Sequence, residues 1–439
     1  MRFLRYVLYL AIAGVAVAAA AFAWASRHAE IAAITPPEPA SFDRALVERG
    51  RELNAIGHCS HCHTNPGGTP YAGGLEIKTP FGTLYSTNIT PHPEAGIGRW
   101  SEEAFRRAMQ EGLDRHGRHL YPAFPYDRFT KVRDEDISAL YAYIMASVAP
   151  SDNVPPSHKL PFPFNVRQLL EGWKFLYLDN RRFEPDPTRD EEWNLGAYLV
   201  EGLAHCGTCH SPRDMFGGER TGAAAYGGGF SGDWYAPPIN TEVLAPIPWT
   251  LFSLVDYMLD GWEEDHGVAA GPMQVVVNGL FDLSEDYAFA ISAYVMELMG
   301  GELPDEEFEA IRQAAVEFAD RVEWGSPDAP ALPTDPVLRR GAEVFEAQCV
   351  RCHEAARATV PLGLSTALNM PTASNTLLVV TQGIRAPYGA SGKSMDARDA
   401  EIPVDSDMVA LLAFLRDRFT EREPWDDLEG LVRRIRRGG

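Results

Sequence analysis

The chain has 439 residues, of which 45% are apolar and 10% aromatic, and this length is enough for roughly two to four domains with cores of their own. Its 61 acidic residues outnumber its 39 basic ones, and the formal charge of -22 argues against nucleic acid as a partner because both molecules would be anionic. This charge favours a basic or locally basic protein surface instead.

The N-terminal segment is basic and then apolar. Arg2 and Arg5 precede an uncharged, apolar run from Tyr6 to Ala25. The pattern fits either a secretory signal with Ala23-Trp24-Ala25 as its cleavage site or an uncleaved anchor of about 20 residues, and the length of the run favours the anchor. Both place the rest of the chain on the periplasmic side of the cytoplasmic membrane, because the basic residues stay in the cytoplasm. Residues 1–30 are therefore expected to be a signal peptide or membrane anchor.

All six cysteines fall into three clusters with the pattern C-x-x-C-H. The clusters are Cys59-Ser60-His61-Cys62-His63, Cys206-Gly207-Thr208-Cys209-His210 and Cys349-Val350-Arg351-Cys352-His353. On one helical turn both sulfurs reach one edge of a porphyrin, and the following imidazole reaches its iron. The pattern predicts three covalently bound haem c groups, with His63, His210 and His353 as iron ligands.

Paired cysteines have other uses as well. In an exported chain they often form disulfides, and a single C-x-x-C motif also suits a redox dithiol or half of a zinc site. Neither a disulfide framework nor a zinc site requires a histidine after every second cysteine. Because that histidine occurs three times and no cysteine is left over, haem attachment is the favoured interpretation.

The three clusters sit inside a repeat, with spacings of 147 residues (206 minus 59) and 143 residues (349 minus 206). Each cluster follows an amphipathic segment and precedes two more segments with helical periodicity. The glycines that open the first segments are Gly50, Gly196 and Gly341, and those that end the second are Gly112, Gly261 and Gly383. The third segments begin near caps at Asp134, Ser284 and Asp405.

This arrangement resembles the small class I cytochrome c domain. The expected fold class is therefore all-α, with three tandem class I cytochrome c domains after an N-terminal signal or anchor helix. The expected domains cover residues 42–148, 188–299 and 336–420, with linkers at 149–187 and 300–335 and a basic amphipathic tail at 421–439. The first linker contains Leu160-Pro161-Phe162-Pro163-Phe164, which is too apolar for a free tether and is expected to pack between domains.

The repeat also selects candidates for the sixth iron ligand, which is usually Met or His. Twelve residues after the three helix-ending glycines stand Phe124, Met273 and Met395. We therefore expect His210/Met273 at haem 2 and His353/Met395 at haem 3, although most methionines only fill cores. At haem 1, Phe124 predicts either five-coordinate iron or a substitute ligand, His116 or His119, whose ordinary role would be that of surface histidines.

Four segments resemble the triheme cytochrome c subunits of membrane-bound bacterial dehydrogenases of the alcohol, aldehyde and gluconate type. They are Thr79-Pro80-Phe81-Gly82-Thr83-Leu84-Tyr85-Ser86-Thr87-Asn88-Ile89-Thr90, His119-Leu120-Tyr121-Pro122-Ala123, Pro161-Phe162-Pro163-Phe164-Asn165 and Gly196-Ala197-Tyr198-Leu199-Val200-Glu201-Gly202. The resemblance covers about residues 45 to 418. It departs at Phe124, where alcohol-dehydrogenase-type members carry the axial Met and where the loop is similar to that of cytochromes paired with molybdenum hydroxylases.

The resemblance implies electron transfer from a separate catalytic subunit to ubiquinone or the terminal respiratory chain. That subunit can be a quinoprotein, a flavoprotein or a molybdenum enzyme, and ubiquinone and the membrane are further expected partners. No GxSxG, P-loop or helix-opening GxGxxG motif is present, so no catalytic residue is expected in this chain. The alternative function is a ligand-binding or peroxidase-like haem 1. The basic tail around Trp425 fits either a bilayer surface or a solvated or partner-packed helix.

Overall fold

The computed structural model describes residues 26–354, 360–390 and 392–437, together with six separate positions between residues 3 and 14. The chain divides into two compact units, Met1–Glu184 and Pro185–Gly439. The predicted signal or anchor at residues 1–30 lies mostly outside the described residues. Within the described ranges, no helix is both long and apolar enough to cross a membrane.

Unit 1 combines helices with one β-hairpin. Its helices are α1 (Arg44–Ile56), α2 (Cys59–Cys62), α3 (Glu102–Glu111), α4 (Tyr126–Phe129), α5 (Asp134–Ser147) and α6 (Leu170–Tyr177). Its strands are β1 (Glu76–Thr79) and β2 (Gly82–Tyr85), which pair antiparallel with Thr79 opposite Gly82.

Helix α1 crosses helix α5 at a glycine. The side chain of Asp43 caps the N-terminus of α1. Leu53 and Ile56 lie on the face of α1 that is buried in the core. A Cβ atom on Gly50 would lie 2.0 Å from the carbonyl oxygen of Ala139, so only glycine permits this approach. The crossing fixes the end of α1, and the cysteines of α2 follow directly.

Unit 2 contains two further helix pairs of this kind. Its helices are α7 (Glu191–Tyr198), α8 (Gly207–His210), α9 (Leu251–Asp260), α10 (Pro272–Leu280), α11 (Glu285–Leu298), α12 (Asp305–Val322), α13 (Pro336–Gln348), α14 (Val350–His353), α15 (Thr366–Asn369), α16 (Ser374–Gln382), α17 (Asp405–Phe419) and α18 (Leu428–Arg437). Its strands are β3 (Gly229–Ser231), β4 (Trp234–Ala236), β5 (Trp262–Glu263) and β6 (Gly267–Val268), paired as two antiparallel hairpins.

The glycine crossing recurs in both helix pairs of unit 2. A Cβ on Gly196 would lie 1.9 Å from the carbonyl oxygen of Ala290, and a Cβ on Gly341 would lie 2.1 Å from that of Ala410. Four residues after each contacted alanine, an aromatic side chain packs against the glycine. These aromatic residues are Tyr143, Tyr294 and Phe414. The glycines that open the predicted repeat thus have one physical role in all three places.

The expected fold class, an all-α chain of three tandem class I cytochrome c domains after an N-terminal helix, is wrong. The described chain carries three two-stranded sheets, and it forms two compact units rather than three. The strands were missed because the segments after the first two C-x-x-C-H motifs were examined for helical periodicity alone. Glu76–Thr79 and Gly82–Tyr85 instead place β-branched and aromatic residues on both sides of a tight turn, a pattern that favours a hairpin.

Hydrogen bonds join the second and third repeats within unit 2. The amide of Asn375 donates to the carbonyl oxygen of Tyr235, and its side-chain oxygen accepts from the Tyr235 N–H, both at 2.8 Å. Asn278 accepts from the N–H of Tyr388 at 2.9 Å. These polar contacts connect residues more than a hundred positions apart, which periodicity cannot reveal.

Both predicted linkers contain ordered structure. Lys159 exchanges two backbone hydrogen bonds with Thr83 of β2, at 2.8 and 3.0 Å, and the rings of Phe81 and Phe164 lie 5.0 Å apart. These contacts of the first linker are all with unit 1. The second linker contains α12, whose buried Ala319 packs near Ile247 and Leu364.

The C-terminal helix α18 packs into the core of unit 2. Leu431 and Val432 are buried, the latter completely, and the indole N–H of Trp425 donates to the carbonyl oxygen of Met370 at 2.8 Å. Arg436 pairs with Asp399 and with a second aspartate on α17. Because its apolar face is already buried here, α18 has no such face left for a bilayer surface.

We expect Val432→Ala to lower the free energy of unfolding of unit 2 by about 2 kcal/mol, because it removes two methylene-sized groups from a filled core. The matched variant Arg434→Ala, on the exposed side of the same helix, should change it by less than about 0.5 kcal/mol. Thermal unfolding followed by circular dichroism measures both. Equal effects of the two substitutions would contradict the packing described for α18.

Candidate haem-attachment sites

Each C-x-x-C-H motif forms a single helical turn. The histidine N–H donates to the carbonyl oxygen of the first cysteine at 3.1 Å for His63, 2.9 Å for His210 and 3.0 Å for His353. Residues at i and i+3 share a face of such a turn, so the two thiols and the imidazole of each motif can approach one flat ligand. The backbone geometry of each motif therefore agrees with the spacing of cysteines and histidine that haem attachment requires.

Two of the three histidines are oriented by a backbone carbonyl. His63 Nδ1 lies 2.6 Å from the carbonyl oxygen of Thr87, and His210 Nδ1 lies 2.7 Å from that of Pro237. A carbonyl oxygen only accepts, so Nδ1 carries the proton and donates, and Nε2 keeps its lone pair. This is the arrangement in which an imidazole binds a metal through Nε2 while its other nitrogen holds the ring in place. Both sites therefore fit an axial histidine of haem.

The loops that follow these two motifs share a network of hydrogen bonds. The N–H of Gly73 donates to the His63 carbonyl oxygen at 2.7 Å, and that of Gly228 donates to the His210 carbonyl oxygen at 2.8 Å. The N–H of a tyrosine with positive φ donates to the hydroxyl that follows each histidine. These pairs are Tyr71 with Thr64 and Tyr226 with Ser211. None of these residues was predicted from the sequence, although a hydroxyl residue after each histidine followed by Tyr-x-Gly was an available signal.

The third motif is built differently. Residues with positive φ, His58 and His205, precede the first two motifs, whereas α13 runs as far as Gln348 and Cys349 forms its cap with φ of -118°. Residues 355–359 are outside the described part of the chain. Burial lowers the pKa of His353, which favours the neutral imidazole that a metal requires.

Three of the six thiols are held in their neutral form. Burial raises the pKa of Cys59 to about 12 and that of Cys349 to about 11, and it raises the pKa of Cys209 as well. Reactive cysteines and thiolate metal ligands have lowered pKa values instead. All six cysteines are described, and no disulfide joins them. Within the described residues none of them belongs to a group of three candidate metal ligands. The geometry thus gives no support to the disulfide, redox-dithiol and zinc alternatives.

The predicted sixth-ligand loops begin alike. Gly112, Gly261 and Gly383 all end their helices with positive φ. In the first two loops the residue after the glycine pairs across the loop with His119 or Val268, and Phe124 and Met273 each stand five residues beyond that partner. Their predicted equivalence therefore has a structural counterpart.

Met395 occupies another position in its loop. It pairs directly with Ile384, the residue after Gly383, through hydrogen bonds of 2.8 and 2.9 Å. The loop between the paired residues is five residues longer than in the other two cases (395 minus 384 against 119 minus 113). Twelve residues after the glycine, Met395 is therefore not at the loop position that Phe124 and Met273 occupy in the other two repeats. Its role as the ligand of haem 3 stays a prediction.

The residues proposed for haem 1 lie in distinct surroundings. Phe124 is half-buried, with its ring 5.2 Å from that of Phe129. His116 is on the surface, 3.1 Å from a carboxylate oxygen of Glu30. His119 is buried against His28.

The chain matches the Cytochrome c family model over residues 47–147, which contain the first C-x-x-C-H motif and helices α1 to α5. It is 41% identical over 416 residues to a nicotinate dehydrogenase subunit of Pseudomonas putida, covering 93% of this chain and 33% of that protein. It is 36% identical over 320 residues to the gluconate 2-dehydrogenase cytochrome c subunit of Pantoea cypripedii, covering 71% of this chain and 69% of that protein. A diheme cytochrome c-type protein of Cereibacter sphaeroides is 33% identical over 299 residues, covering 66% of this chain and 98% of that protein.

These matches and the turn geometry define a c-type cytochrome, a class of protein that carries covalently bound haem c. More particularly, the chain belongs to the family of cytochrome c proteins that includes the cytochrome c subunit of gluconate 2-dehydrogenase. It spans about one third of the length of the nicotinate dehydrogenase subunit that it matches.

Proposed function

We propose that this chain is an electron-transfer cytochrome with three haem c groups, which accepts electrons from a dehydrogenase catalytic subunit and passes them to ubiquinone or the terminal respiratory chain. The observation that carries the proposal is the C-x-x-C-H turn formed three times, with His63 and His210 anchored through Nδ1. Reduction of the purified complex by the partner's substrate, followed in the haem absorption bands, tests it. Haem bands that stay oxidised while the partner turns over with an artificial acceptor would contradict it.

In this function the chain itself holds the haem groups and orients their histidine ligands. Bound haem supplies iron that changes its charge by one electron. The paired cysteines would anchor each porphyrin edge through thioether bonds, and the Thr87 and Pro237 carbonyl oxygens fix the tautomers of His63 and His210. Electron transfer requires no acid, base or nucleophile from the chain.

A dehydrogenase partner is supported by the names of the relatives, which include nicotinate, fructose and gluconate dehydrogenase subunits. We propose a molybdenum enzyme as the first candidate, because the loop around Phe124 is similar to that of cytochromes paired with molybdenum hydroxylases. Quinoproteins and flavoproteins are the other candidates. Isolation of the native complex, followed by assays of the co-purified large subunit for molybdenum, quinone cofactor and flavin, separates the three. The relatives give no support to the alternative of a ligand-binding or peroxidase-like haem 1.

We also propose that the chain works on the periplasmic side of the cytoplasmic membrane and is associated with that membrane. The basic N-terminal residues followed by an apolar run support the direction of export. Protease treatment of intact spheroplasts tests the location: the haem-stained band should disappear without lysis. A band that is lost only after lysis would contradict it.

The role of Met273 is testable by a conservative change. Met273→Leu should lower the midpoint potential of one haem by on the order of 0.1 V, because axial ligands set haem potentials over about 0.8 V and methionine raises them. Spectroelectrochemical titration of the full chain measures this. Met258→Leu, at a buried methionine of α9, is the packing control and should leave all potentials in place. The ligand assignment fails if the two variants titrate alike.

A further inference from the structure

Two histidines and a glutamate meet in unit 1, away from the C-x-x-C-H residues in sequence. His28 Nε2 lies 3.5 Å and His119 Nε2 lies 3.6 Å from the same carboxylate oxygen, Oε2 of Glu171. One potential ligand atom from each of the three side chains lies within 4.8 Å of the other two. The imidazole rings are 5.1 Å apart and nearly perpendicular.

Three separate segments bring these side chains together. The segment with His28 is joined to the loop after α3 through the N–H of Ile31, which donates to the Arg115 carbonyl oxygen at 2.9 Å. His119 stands in the loop after α3, where it pairs with Leu113. Glu171 lies in the first turn of α6. The cluster therefore depends on the tertiary fold and not on a local sequence motif.

The surroundings leave imidazole nitrogens unsatisfied. His119 is only 2% exposed, and within the described residues its Nδ1 has no hydrogen-bond partner. His28 Nε2 is also buried without a hydrogen bond among the described residues, although the Glu171 carboxylate is close. Buried polar atoms normally find partners, so the unpaired Nε2 of His28, the nitrogen that faces the Glu171 carboxylate, indicates a missing ligand. An ion held by His119 through Nε2 would leave its Nδ1 unchanged. The one other polar contact of His119 Nε2 within the described chain is the Ser26 carbonyl oxygen, at 3.4 Å.

The neighbouring charges can tolerate a cation. The ammonium group of Lys174 donates to the carbonyl oxygens of Glu111 and Gly112 at 2.6 and 2.9 Å and is held at the end of α3. The carboxylate of Glu171 offsets part of an ion's charge. Glu171, His28 and Lys174 also line a cavity of about 540 Å³ that is open to solvent and supplies space for a water ligand.

We propose that His28, His119 and Glu171 form a binding site for a divalent transition-metal ion, with zinc the best match. Two imidazole nitrogens and one carboxylate oxygen are ligands that zinc accepts, with bonds of about 2.0 to 2.2 Å. Tetrahedral bonds of that length place ligand atoms about 3.3 Å apart, so the two distances to Glu171, 3.5 and 3.6 Å, need only a small contraction. The ligand atoms of the two histidines lie within 4.8 Å of each other and would have to move closer on binding. The bound ion would cross-link three parts of unit 1: the segment that contains His28, the loop that contains His119, and helix α6. This proposal does not rest on the proposed electron-transfer function, but it assigns His119 to the metal site and not to the iron of haem 1.

The test uses the full, haem-loaded chain. The protein is stripped of metal with a chelator and then dialysed against zinc. Its zinc content is measured by elemental mass spectrometry, and its thermal unfolding is measured with and without zinc. We expect one zinc per chain, a higher Tm with zinc than after chelation, and at least tenfold weaker binding in Glu171→Gln and in His28→Gln. Both substituted side chains are partly exposed, so the fold should tolerate the changes.

Glu30→Gln is the matched control, since it removes the same charge from a carboxylate of unit 1 that pairs with His116 and Arg115 instead. It should bind zinc like the unaltered chain. Haem content and circular dichroism show that each variant is folded. The proposal is overturned if the stripped chain takes up no zinc, if Glu171→Gln and His28→Gln bind as tightly as the unaltered chain, or if Glu30→Gln weakens binding equally.

Discussion

Replacement of both cysteines of one motif by serine should remove one haem out of three. In Cys59→Ser/Cys62→Ser, the covalent haem content per chain should fall by one third, because no thioether can form at that turn while the other two turns are unaltered. The corresponding double variants at Cys206 with Cys209 and at Cys349 with Cys352 should each do the same. The pyridine haemochrome assay, normalised to protein mass, gives the haem content.

The first motif gives the clearest test of this prediction, because it lies in a different compact unit from the other two motifs. It lies in unit 1, whereas the other two lie in unit 2, so the Cys59/Cys62 variant leaves the fold around two haems untouched. Ser60→Ala, between the two cysteines, is the control and should keep all three haems. A double variant that retains the full haem content would show that the motif is not an attachment site.

Gly50→Ala should destabilise unit 1 by about 3 kcal/mol, because the new Cβ would lie 2.0 Å from the Ala139 carbonyl oxygen and helices α1 and α5 would have to separate. In a unit of this size, such a loss corresponds to a Tm lower by ~6–12 °C. Differential scanning calorimetry of the haem-loaded chain measures it.

Gly172→Ala is the matched control for Gly50→Ala. It is also a helical glycine of unit 1, in α6, but a Cβ there meets nothing within 4 Å. Alanine favours helix by about 1 kcal/mol relative to glycine, so this variant should be equally stable or more stable. If Gly50→Ala were as stable as Gly172→Ala, the close crossing of α1 and α5 would not exist.

The sequence predicted best what local chemistry determines. The C-x-x-C-H turns depend on five consecutive residues. The glycines at positions 50, 196 and 341 were recognised because they repeat at one place relative to the cysteines, but they were predicted to open their segments, whereas α1, α7 and α13 begin five or six residues earlier. The helix ends at Gly112 and Gly261 followed from left-handed capping by glycine. Local patterns of this kind can be recognised from the sequence because they do not depend on contacts with distant residues.

Features that depend on distant partners could not be predicted in this way. The carbonyl groups that orient His63 and His210 belong to Thr87 and Pro237, residues whose side chains do not take part. The contact of Asn375 with Tyr235 links two repeats into one unit through an ordinary polar side chain. The longer loop before Met395 shifts its backbone register without altering the count that selected it.

The cluster of His28, His119 and Glu171 illustrates the same limit. Its members are 91 and 52 residues apart in sequence (119 minus 28 and 171 minus 119), and His119 was noticed only as a substitute ligand for haem 1. The docking of the segment around Ile31 on the loop at Arg115 is what brings His28 to the other two. Such a site becomes visible only when the chain is folded.

The intact mass of the native chain tests the central claim most directly. Denaturing mass spectrometry removes any haem that is bound only by coordination and leaves covalent haem in place. We predict the polypeptide mass plus three haem groups, with attachment mapped by peptide sequencing to Cys59 and Cys62, Cys206 and Cys209, and Cys349 and Cys352. The unmodified polypeptide mass would contradict the account.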